Sequence, residues 1–277
     1  MTLRIGSVPY LVGRPLDGGL ESAAGLQYSQ AVPSALIHDL RQSKLDAGLV
    51  SSIELFRQPE YCFAEGLGVT GFGQVDSVQV FLRRPMEQVQ RIALDPSSRA
   101  AAALVKVLLA ERAGGPPEYL EVPSDQDPAE VDADAWLRIG DRALRETWID
   151  GIDHWNPSKA WFDQTGLPFV FALWLMRDRG TAASLQPILE EAAGRGEGAR
   201  EELARRGAEE LDLPLGPLRN YLCQQCVFQP GEALRPALTR FGQEARALGL
   251  ASHDLPIEGV EPTSPEAPGV RRVPCPD

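Results

Sequence analysis

The fold is decided by residues 45–56, which read LDAGLVSSIELF. Residues 45–50 form a mostly apolar run of strand length, and the polar pair Ser51-Ser52 ends it. Helical character returns at Ile53–Phe56, so the stretch predicts a strand that passes into a helix through a short polar turn. The same transition recurs in three other segments: Val32-Pro33-Ser34, Leu94-Asp95-Pro96-Ser97-Ser98 and Ile139-Gly140-Asp141. This alternation predicts an α/β fold built on parallel strands.

Two such α/β units followed by C-terminal helices predict a protein of two lobes. We expect the first lobe to combine residues 1–82 with 172–257, and the second to span residues 83–171. The apolar run Leu167–Met176 is predicted to be a strand that crosses between the lobes, so that crossovers near Arg83 and Phe169 form a hinge. Residues 258–277, rich in Pro and Glu, are expected to form a flexible tail. The cleft between the lobes is the expected ligand site.

The charge balance limits the partners of this protein. Its 27 Lys and Arg residues against 39 Asp and Glu residues give a net charge of −12. Without a basic footprint, we expect no binding to nucleic acid or to an anionic membrane surface. The sequence contains no apolar run of about 18–20 residues and no signal-peptide pattern, so a cytoplasmic protein is expected. The sequence leaves the oligomeric state open.

The cysteine pattern and the absence of several catalytic motifs argue against several chemistries. Cys223 and Cys226 form a Cys-x-x-Cys pair. We interpret them as two small apolar residues on one helix face. The alternative is a redox role or half of a zinc site. We predict no metal, because neither a second pair nor a nearby His completes a tetrahedral site. The sequence contains no Gly-x-Gly-x-x-Gly, Walker or Gly-x-Ser-x-Gly motif after a strand, so we expect no nucleotide cofactor and no serine hydrolase.

The polar turns are the candidate site, because the carboxyl ends of parallel strands are where ligands bind. Helix N-termini at these turns attract carboxylates, and serine hydroxyls add donors. Arg14 and Arg99 flank such turns and are candidates for a bidentate clamp on a carboxylate. Asp141 and Glu54 are candidate acid–base groups, with helix-terminal and helix-surface roles as the alternatives. The candidate binding serines are Ser34, Ser51, Ser52, Ser97 and Ser98, for which simple N-capping is the alternative.

A series of motifs in a fixed order resembles a known enzyme family. The series includes Ser7-Val8-Pro9-Tyr10-Leu11 with Arg14-Pro15-Leu16, the four turns above, Asp76-Ser77-Val78, and Thr165-Gly166-Leu167-Pro168-Phe169. Over about residues 4–175 the chain is similar to the chorismate dehydratases of the futalosine route to menaquinone. It departs from the family pattern at Val12, where Asn is expected, and at Ala100-Ala101, where Thr-Ser is expected.

The resemblance implies a two-lobed, periplasmic-binding-protein-like fold of type II with an enzymatic function. The implied reaction is the cofactor-free elimination of water from chorismate, a dicarboxylate, to give 3-[(1-carboxyvinyl)oxy]benzoate. It adds Tyr10, Ser77, Thr165 and Phe169 to the expected substrate contacts. The base is left open among Asp141, Glu54 and a carboxylate of the substrate itself.

Two other functions remain open at this point. One is a non-catalytic protein that binds a small carboxylate, since a fold does not fix a function. The other is the sister enzyme that forms 1,4-dihydroxy-6-naphthoate, although the chain lacks the Ser-Pro-Cys-Pro-Asn-Asp start of that family.

Overall fold

The computed structural model describes residues 2–58, 60–123, 125–253 and 259–260, which form two β-sheets with helices packed against them. The eight strands of the first sheet are β1 (Leu3–Ser7), β2 (Leu26–Gln30), β3 (Ala47–Ser51), β4 (Cys62–Ala64), β5 (Val69–Gly71), β11 (Phe169–Met176), β12 (Cys226–Val227) and β13 (Gly259–Val260). The five strands of the second are β6 (Val78–Leu82), β7 (Arg91–Leu94), β8 (Glu118–Glu121), β9 (Ala135–Ile139) and β10 (His154–Trp155).

Both sheets are mixed, with a parallel part that matches the expected α/β units. In the first sheet the order is β12-β5-β11-β3-β1-β2, and β1 runs parallel to β2 and β3. In the second the order is β10-β6-β9-β7-β8, and β7 runs parallel to β8 and β9. The long strand β11 is antiparallel to β3 and β5, and β6 is antiparallel to β9. The predicted α/β class is confirmed.

The helices begin where the sequence places their start signals. Pro33 occupies the first turn of one helix, where its missing N–H costs nothing. Ser98 caps another by accepting the N–H of Ala101. The eight α-helices of the described residues are α1 (Pro33–Arg41), α2 (Arg99–Leu108), α3 (Gly140–Trp148), α4 (Pro157–Thr165), α5 (Arg179–Gly198), α6 (Arg200–Leu211), α7 (Leu215–Asn220) and α8 (Leu234–Ala247). The Ser51-Ser52 turn opens a short 3-10 helix, Ser52–Phe56.

The sheets divide the chain at different places from the expected boundaries. Strand β6 pairs with β9 and β10, so residues 78–82 belong with the second unit rather than the first. The first crossover therefore precedes Val78 instead of lying near Arg83. Strand β11 lies wholly in the first sheet, from Phe169 onward, so the return crossover comes before residue 169. Side-chain pattern alone missed this because β6 is buried and reads the same in either sheet.

The sequence predicts one helix that carries both Cys223 and Cys226, and the structure shows a different arrangement. Helix α7 ends at Asn220 and passes into a single π-helical turn, Tyr221–Gln225, after which β12 begins at Cys226. Cys223 and Cys226 therefore do not share a helix face. The expected tail, 258–277, lies outside the described residues except for Gly259–Val260, which pair with β4.

Separate hydrophobic cores lie beneath the two sheets. The larger core packs the buried faces of the first sheet against α1, α5 and α8 and includes Trp161, Trp174 and Phe241, all almost fully buried. A smaller core lies between the second sheet and α2. In the ranges that the structure describes, none of the helices combines the length and apolar character that a membrane crossing requires.

Candidate active site

A cleft lies between the two units, because residues of both sheets line it. Its empty space, counted with the open mouth, is about 670 Å³. Apolar side chains make up most of the wall, and hydroxyl groups are set among them. The lining residues are Val8, Tyr10, Val12, Pro33, Leu49, Val50, Ser51, Val69, Thr70, Val75, Ser77, Val78, Ser97, Ser98, Ile139, Gly140, Phe171, Ala172 and Cys226.

Two buried hydroxyls of the first sheet lie at the wall of the cleft. Ser51 ends β3 and Thr70 lies in β5, and both side chains are more than nine-tenths buried. Neither hydroxyl has a hydrogen-bond partner in the described part of the chain, although both residues line the cleft. A buried hydroxyl without a partner costs stability, on the order of 1–3 kcal/mol. Such groups are expected where a ligand supplies the missing acceptor.

The register of the first sheet fixes the spacing of these two hydroxyls. Strand β11 lies between β3 and β5, and its Ala172 pairs with Ser51 on one side and with Val69 on the other. Neighbouring strands lie about 4.8 Å apart, so the backbones of Ser51 and Thr70 are separated by roughly 10 Å. Ser51 thus lies beside Ala172, whereas Thr70 pairs with Val170, two residues earlier in β11.

The crossover to the second sheet contributes a third hydroxyl. Ser77 lies just before β6, and its Oγ accepts a hydrogen bond from the phenol of Tyr221 at 2.8 Å. Its carbonyl accepts the N–H of Gly140 at 2.8 Å. Burial raises the pKa of Tyr221 well above its usual value, so this phenol remains a donor. Ser77 is thereby fixed from both sides at the floor of the cleft.

The second sheet supplies a polar corner built on Asp95. The Asp95 carboxylate accepts the backbone N–H of Ser97 at 2.9 Å and that of Ile139 at 3.3 Å. It also accepts the Ser97 hydroxyl, so it ties the ends of β7 and β9 together. Ser98 follows at the start of α2, whose N-terminus carries partial positive charge and faces the cleft.

Tyr10, which follows β1 of the first sheet, lines the cleft and contacts the second unit at Gly140. Its ring packs on Gly140, where a Cβ atom would lie 3.1 Å from Tyr10 Cδ1. Gly140 also has φ +70°, so both the space and the backbone demand glycine there. Burial raises the pKa of the Tyr10 phenol, against a hydrogen bond with Ser97 that lowers it. Tyr10 therefore offers a neutral O–H at physiological pH.

Asp141 joins the two units instead of lining the cleft. Its carboxylate accepts the backbone N–H of Leu11, with Oδ1 and Oδ2 at 3.1 and 3.3 Å from the nitrogen. Burial raises the pKa of Asp141, and the hydrogen bond from Leu11 and the charge of Arg14 oppose that shift. The geometry gives Asp141 a contact between the two units, and its expected acid–base role stays a prediction.

Glu54 is likewise removed from the cleft. It is completely buried and forms ion pairs with three arginines, Arg41, Arg57 and Arg99. The Nη1 atoms of Arg57 and Arg99 each lie 3.1 Å from Oε1, and Arg41 binds Oε2. A buried carboxylate needs such partners. Glu54 and Arg99 thus both have partners within the protein, and neither is among the described residues that line the cleft. The acid–base role of Glu54 and the carboxylate clamp of Arg99 stay predictions.

Five further expected contacts are not among the residues that line the cleft. Arg14 pairs with Glu210 at 2.6 Å, and Ser52 donates to the carbonyl of Val170 at 2.6 Å. Thr165 donates to the Trp161 carbonyl at the end of α4. Phe169 is buried in an aromatic cluster with Trp161, Phe171 and Phe241. Ser34 lies in the first turn of α1 beside Pro33, which does line the cleft.

Of the expected contacts, the cleft brings together Tyr10, Ser51, Ser77, Ser97 and Ser98. Sequence reasoning missed Thr70 and Tyr221. Thr70 lies in a short buried strand with no turn signal of its own, and Tyr221 falls in a segment predicted to be regular helix. The deviation that marks Tyr221, a π-helical turn, is visible only in the backbone.

The described lining of the cleft contains no Lys, Arg, His, Asp or Glu side chain. Its groups that can donate hydrogen bonds to an anion are hydroxyls and the N-terminus of α2. The described residues also contain no group of three or more His, Cys, Asp or Glu side chains arranged to hold a metal ion.

Comparison with known proteins identifies the family. A family model described as menaquinone biosynthesis matches residues 3–247. The chain belongs to this family. A chorismate dehydratase of Thermus thermophilus is 30% identical to it over 244 residues, which cover 77% of this chain and 87% of the relative. A chorismate dehydratase of Campylobacter jejuni is 29% identical over 242 residues, covering 87% and 93%. The expected family is confirmed.

Solved structures confirm the fold. A protein of Archaeoglobus fulgidus superimposes with a TM-score of 0.69 at 15% identity, covering 90% of this family member and 98% of that chain. The alkanesulfonate-binding protein of Xanthomonas axonopodis pv. citri, bound to MOPS, gives 0.64 at 17% identity, covering 92% and 96%. The fold is thus periplasmic-binding-protein-like, as the resemblance implied.

Proposed function

We propose that this protein is a chorismate dehydratase that eliminates water from chorismate to form 3-[(1-carboxyvinyl)oxy]benzoate. The observation that carries the proposal is the apolar cleft with unpartnered, buried hydroxyls at Ser51 and Thr70, in a chain of the menaquinone biosynthesis family. Two relatives that it resembles over most of their length bear the name of this activity. The proposed setting is the cytoplasm, in the futalosine route to menaquinone.

The cleft suits a ring that carries two carboxylates. Phe171 and Leu49 offer apolar surface for the ring, and the Ser51 and Thr70 hydroxyls lie on the two strands that flank β11. We assign Ser51 and Thr70 to donate hydrogen bonds to substrate oxygens at separate points. Ser97 and Ser98, at the start of α2, form the corresponding polar corner on the second sheet. Holding the substrate in one orientation supplies a large part of the rate enhancement of such reactions.

The proposed elimination removes the hydrogen at C3 and the hydroxyl at C4, and the ring becomes aromatic. The aromatic stabilisation of the product drives the reaction, so the proposed reaction requires no cofactor. Because no described lining residue is a carboxylate, a histidine or a lysine, the proposed base is a carboxylate of the substrate itself. The neutral hydroxyls of Tyr10 and Ser77 are the proposed donors to the departing oxygen.

The test is incubation of the purified protein with chorismate, followed by chromatography with ultraviolet detection. Formation of 3-[(1-carboxyvinyl)oxy]benzoate faster than in a control without protein supports the proposal. Loss of chorismate at the rate of the control contradicts it. Calorimetric binding of chorismate without turnover identifies the alternative, a protein that binds a small carboxylate.

A further inference from the structure

Tyr221 is a buried phenol whose hydroxyl is committed to a residue of the cleft. The ring is 1% exposed, and its hydroxyl lies 2.8 Å from the Oγ of Ser77. The phenol is the donor in this hydrogen bond, and burial raises the pKa of Tyr221 well above its usual value, so the donor keeps its proton.

This arrangement determines what the Ser77 hydroxyl can do. A serine hydroxyl has one proton to donate and two lone pairs that accept. When Tyr221 occupies one lone pair, the serine proton is turned away from the phenol. Ser77 lines the cleft, so its proton is available to an acceptor that binds there.

The segment that carries Tyr221 also holds the backbone next to Ser77. Gln225, at the other end of the π-helical turn, accepts the backbone N–H of Asp76 at 2.9 Å. Its amide nitrogen donates to the Asp76 carboxylate, also at 2.9 Å. Trp148 of α3 donates to the same carboxylate at 3.1 Å. One π turn therefore holds both Asp76 and Ser77, through Gln225 and Tyr221. Such turns are frequent at functional sites.

We infer that Tyr221 is a positioning residue for the reaction: it orients the Ser77 hydroxyl as a hydrogen-bond donor to a substrate oxygen, while Gln225 holds the crossover backbone. The inference rests on the proposed function, since it names a residue that acts through Ser77 in the same cleft. Tyr221 itself does not line the cleft.

The test is a double-mutant cycle of Tyr221→Phe and Ser77→Ala, measured as kcat/KM for chorismate. Tyr221→Phe keeps the ring and its contact with Trp148 and removes only the hydroxyl. The matched control is Tyr119→Phe, which removes a buried hydroxyl without a partner in the described part of the chain. We expect Tyr221→Phe to lower kcat/KM about 10-fold, as the loss of one buried hydrogen bond predicts, and Tyr119→Phe to leave it unchanged.

The outcomes separate a positioning role from a merely structural one. In the Ser77→Ala background, Tyr221→Phe is expected to cause little further loss of kcat/KM, because its partner is already gone. An equal loss in both backgrounds, or no loss in either, overturns the inference. Failure of the proposed function has a different signature, namely no turnover by the wild type. In that case the same cycle is measured by thermal unfolding, and strictly additive shifts in Tm overturn the Tyr221–Ser77 coupling.

Discussion

The carboxylate of Asp141 accepts the backbone N–H of Leu11, with Oδ1 3.1 Å from the nitrogen, and this contact joins α3 of the second unit to the turn after β1. The two residues are separated by 130 positions in the chain, so the contact links the two units directly. The ion pair between Arg99 of α2 and Glu54 is a second contact between them. None of these residues lines the cleft, although both chain neighbours of Leu11 do.

We expect Asp141→Ala to raise KM for chorismate about 10-fold with a smaller effect on kcat. Removal of the carboxylate leaves the Leu11 N–H without its acceptor and lowers the population of the closed, binding-competent form. Steady-state kinetics measures the effect, with Asp141→Asn as the matched variant because its amide oxygen still accepts a hydrogen bond. An unchanged KM in Asp141→Ala would contradict the role given to this contact.

Thr70→Val is expected to stabilise the free protein and to weaken substrate binding. The substitution preserves shape and removes a buried hydroxyl without a partner in the described residues, so the free energy of unfolding should rise by up to about 1 kcal/mol. The same change removes a donor to the substrate, and KM should rise roughly 5- to 10-fold. Urea unfolding and kinetics on the same preparation give both values. A lower stability together with an unchanged KM would assign Thr70 to the core.

The adjacent serines 51 and 52 provide a comparison within one turn. Ser52 donates to the Val170 carbonyl and is satisfied, whereas Ser51 lines the cleft without a partner in the described ranges. Ser52→Ala should lower the free energy of unfolding by about 1 kcal/mol with little effect on KM. Ser51→Ala should raise KM for chorismate and should have little effect on the free energy of unfolding. Equal effects of the two substitutions on both quantities would refute this division of roles.

Arg99→Ala should leave kcat and KM for chorismate within about twofold of the wild type. The guanidinium is engaged with Glu54, which keeps Arg41 and Arg57 as partners after the substitution. The loss of one half-exposed ion pair should cost less than about 1 kcal/mol of stability. By contrast, Glu54→Gln leaves three arginines without their shared carboxylate and should cost about 3 kcal/mol. A large rise in KM in Arg99→Ala would restore the carboxylate clamp predicted from the sequence.

The buried Asp17 predicts a pH dependence of stability. Burial raises its pKa from 3.8 to about 6, against hydrogen bonds from Ser7 and Tyr28. The folded protein therefore binds more protons than the unfolded chain between these values, and the stability from this site is lost as the pH rises through about 6. Relative to Asp17→Asn, the wild type should lose about 2 kcal/mol between pH 4.5 and 7.5. Urea unfolding at both pH values measures the difference, and a constant offset between the two proteins would contradict the raised pKa.

The fold was predictable because its signals are local. The runs that become β3, β7 and β9 each end at a polar turn, and Pro33 and Ser98 mark helix starts by their own backbone chemistry. The sheet to which a buried strand belongs is a long-range property, which is why β6 was assigned to the wrong unit.

The site was predictable where the turn itself forms the wall, as at Ser51, Ser97 and Ser98. It was not predictable for charged side chains, whose partners are distant in sequence: Arg99 reaches Glu54 across 45 positions, and Arg14 reaches Glu210 across 196. A lone arginine at a turn does not reveal whether a carboxylate of the protein already occupies it.

The central claim is that chorismate is dehydrated in the cleft between the two sheets. Its most direct test is the initial rate of 3-[(1-carboxyvinyl)oxy]benzoate formation by the wild type and by Val12→Trp, which fills the cleft from a half-buried wall position. We expect product from the wild type above the protein-free control, and none above that control from a Val12→Trp variant that unfolds at the wild-type temperature. A wild type no faster than the control, or a Val12→Trp variant as fast as the wild type, would contradict it.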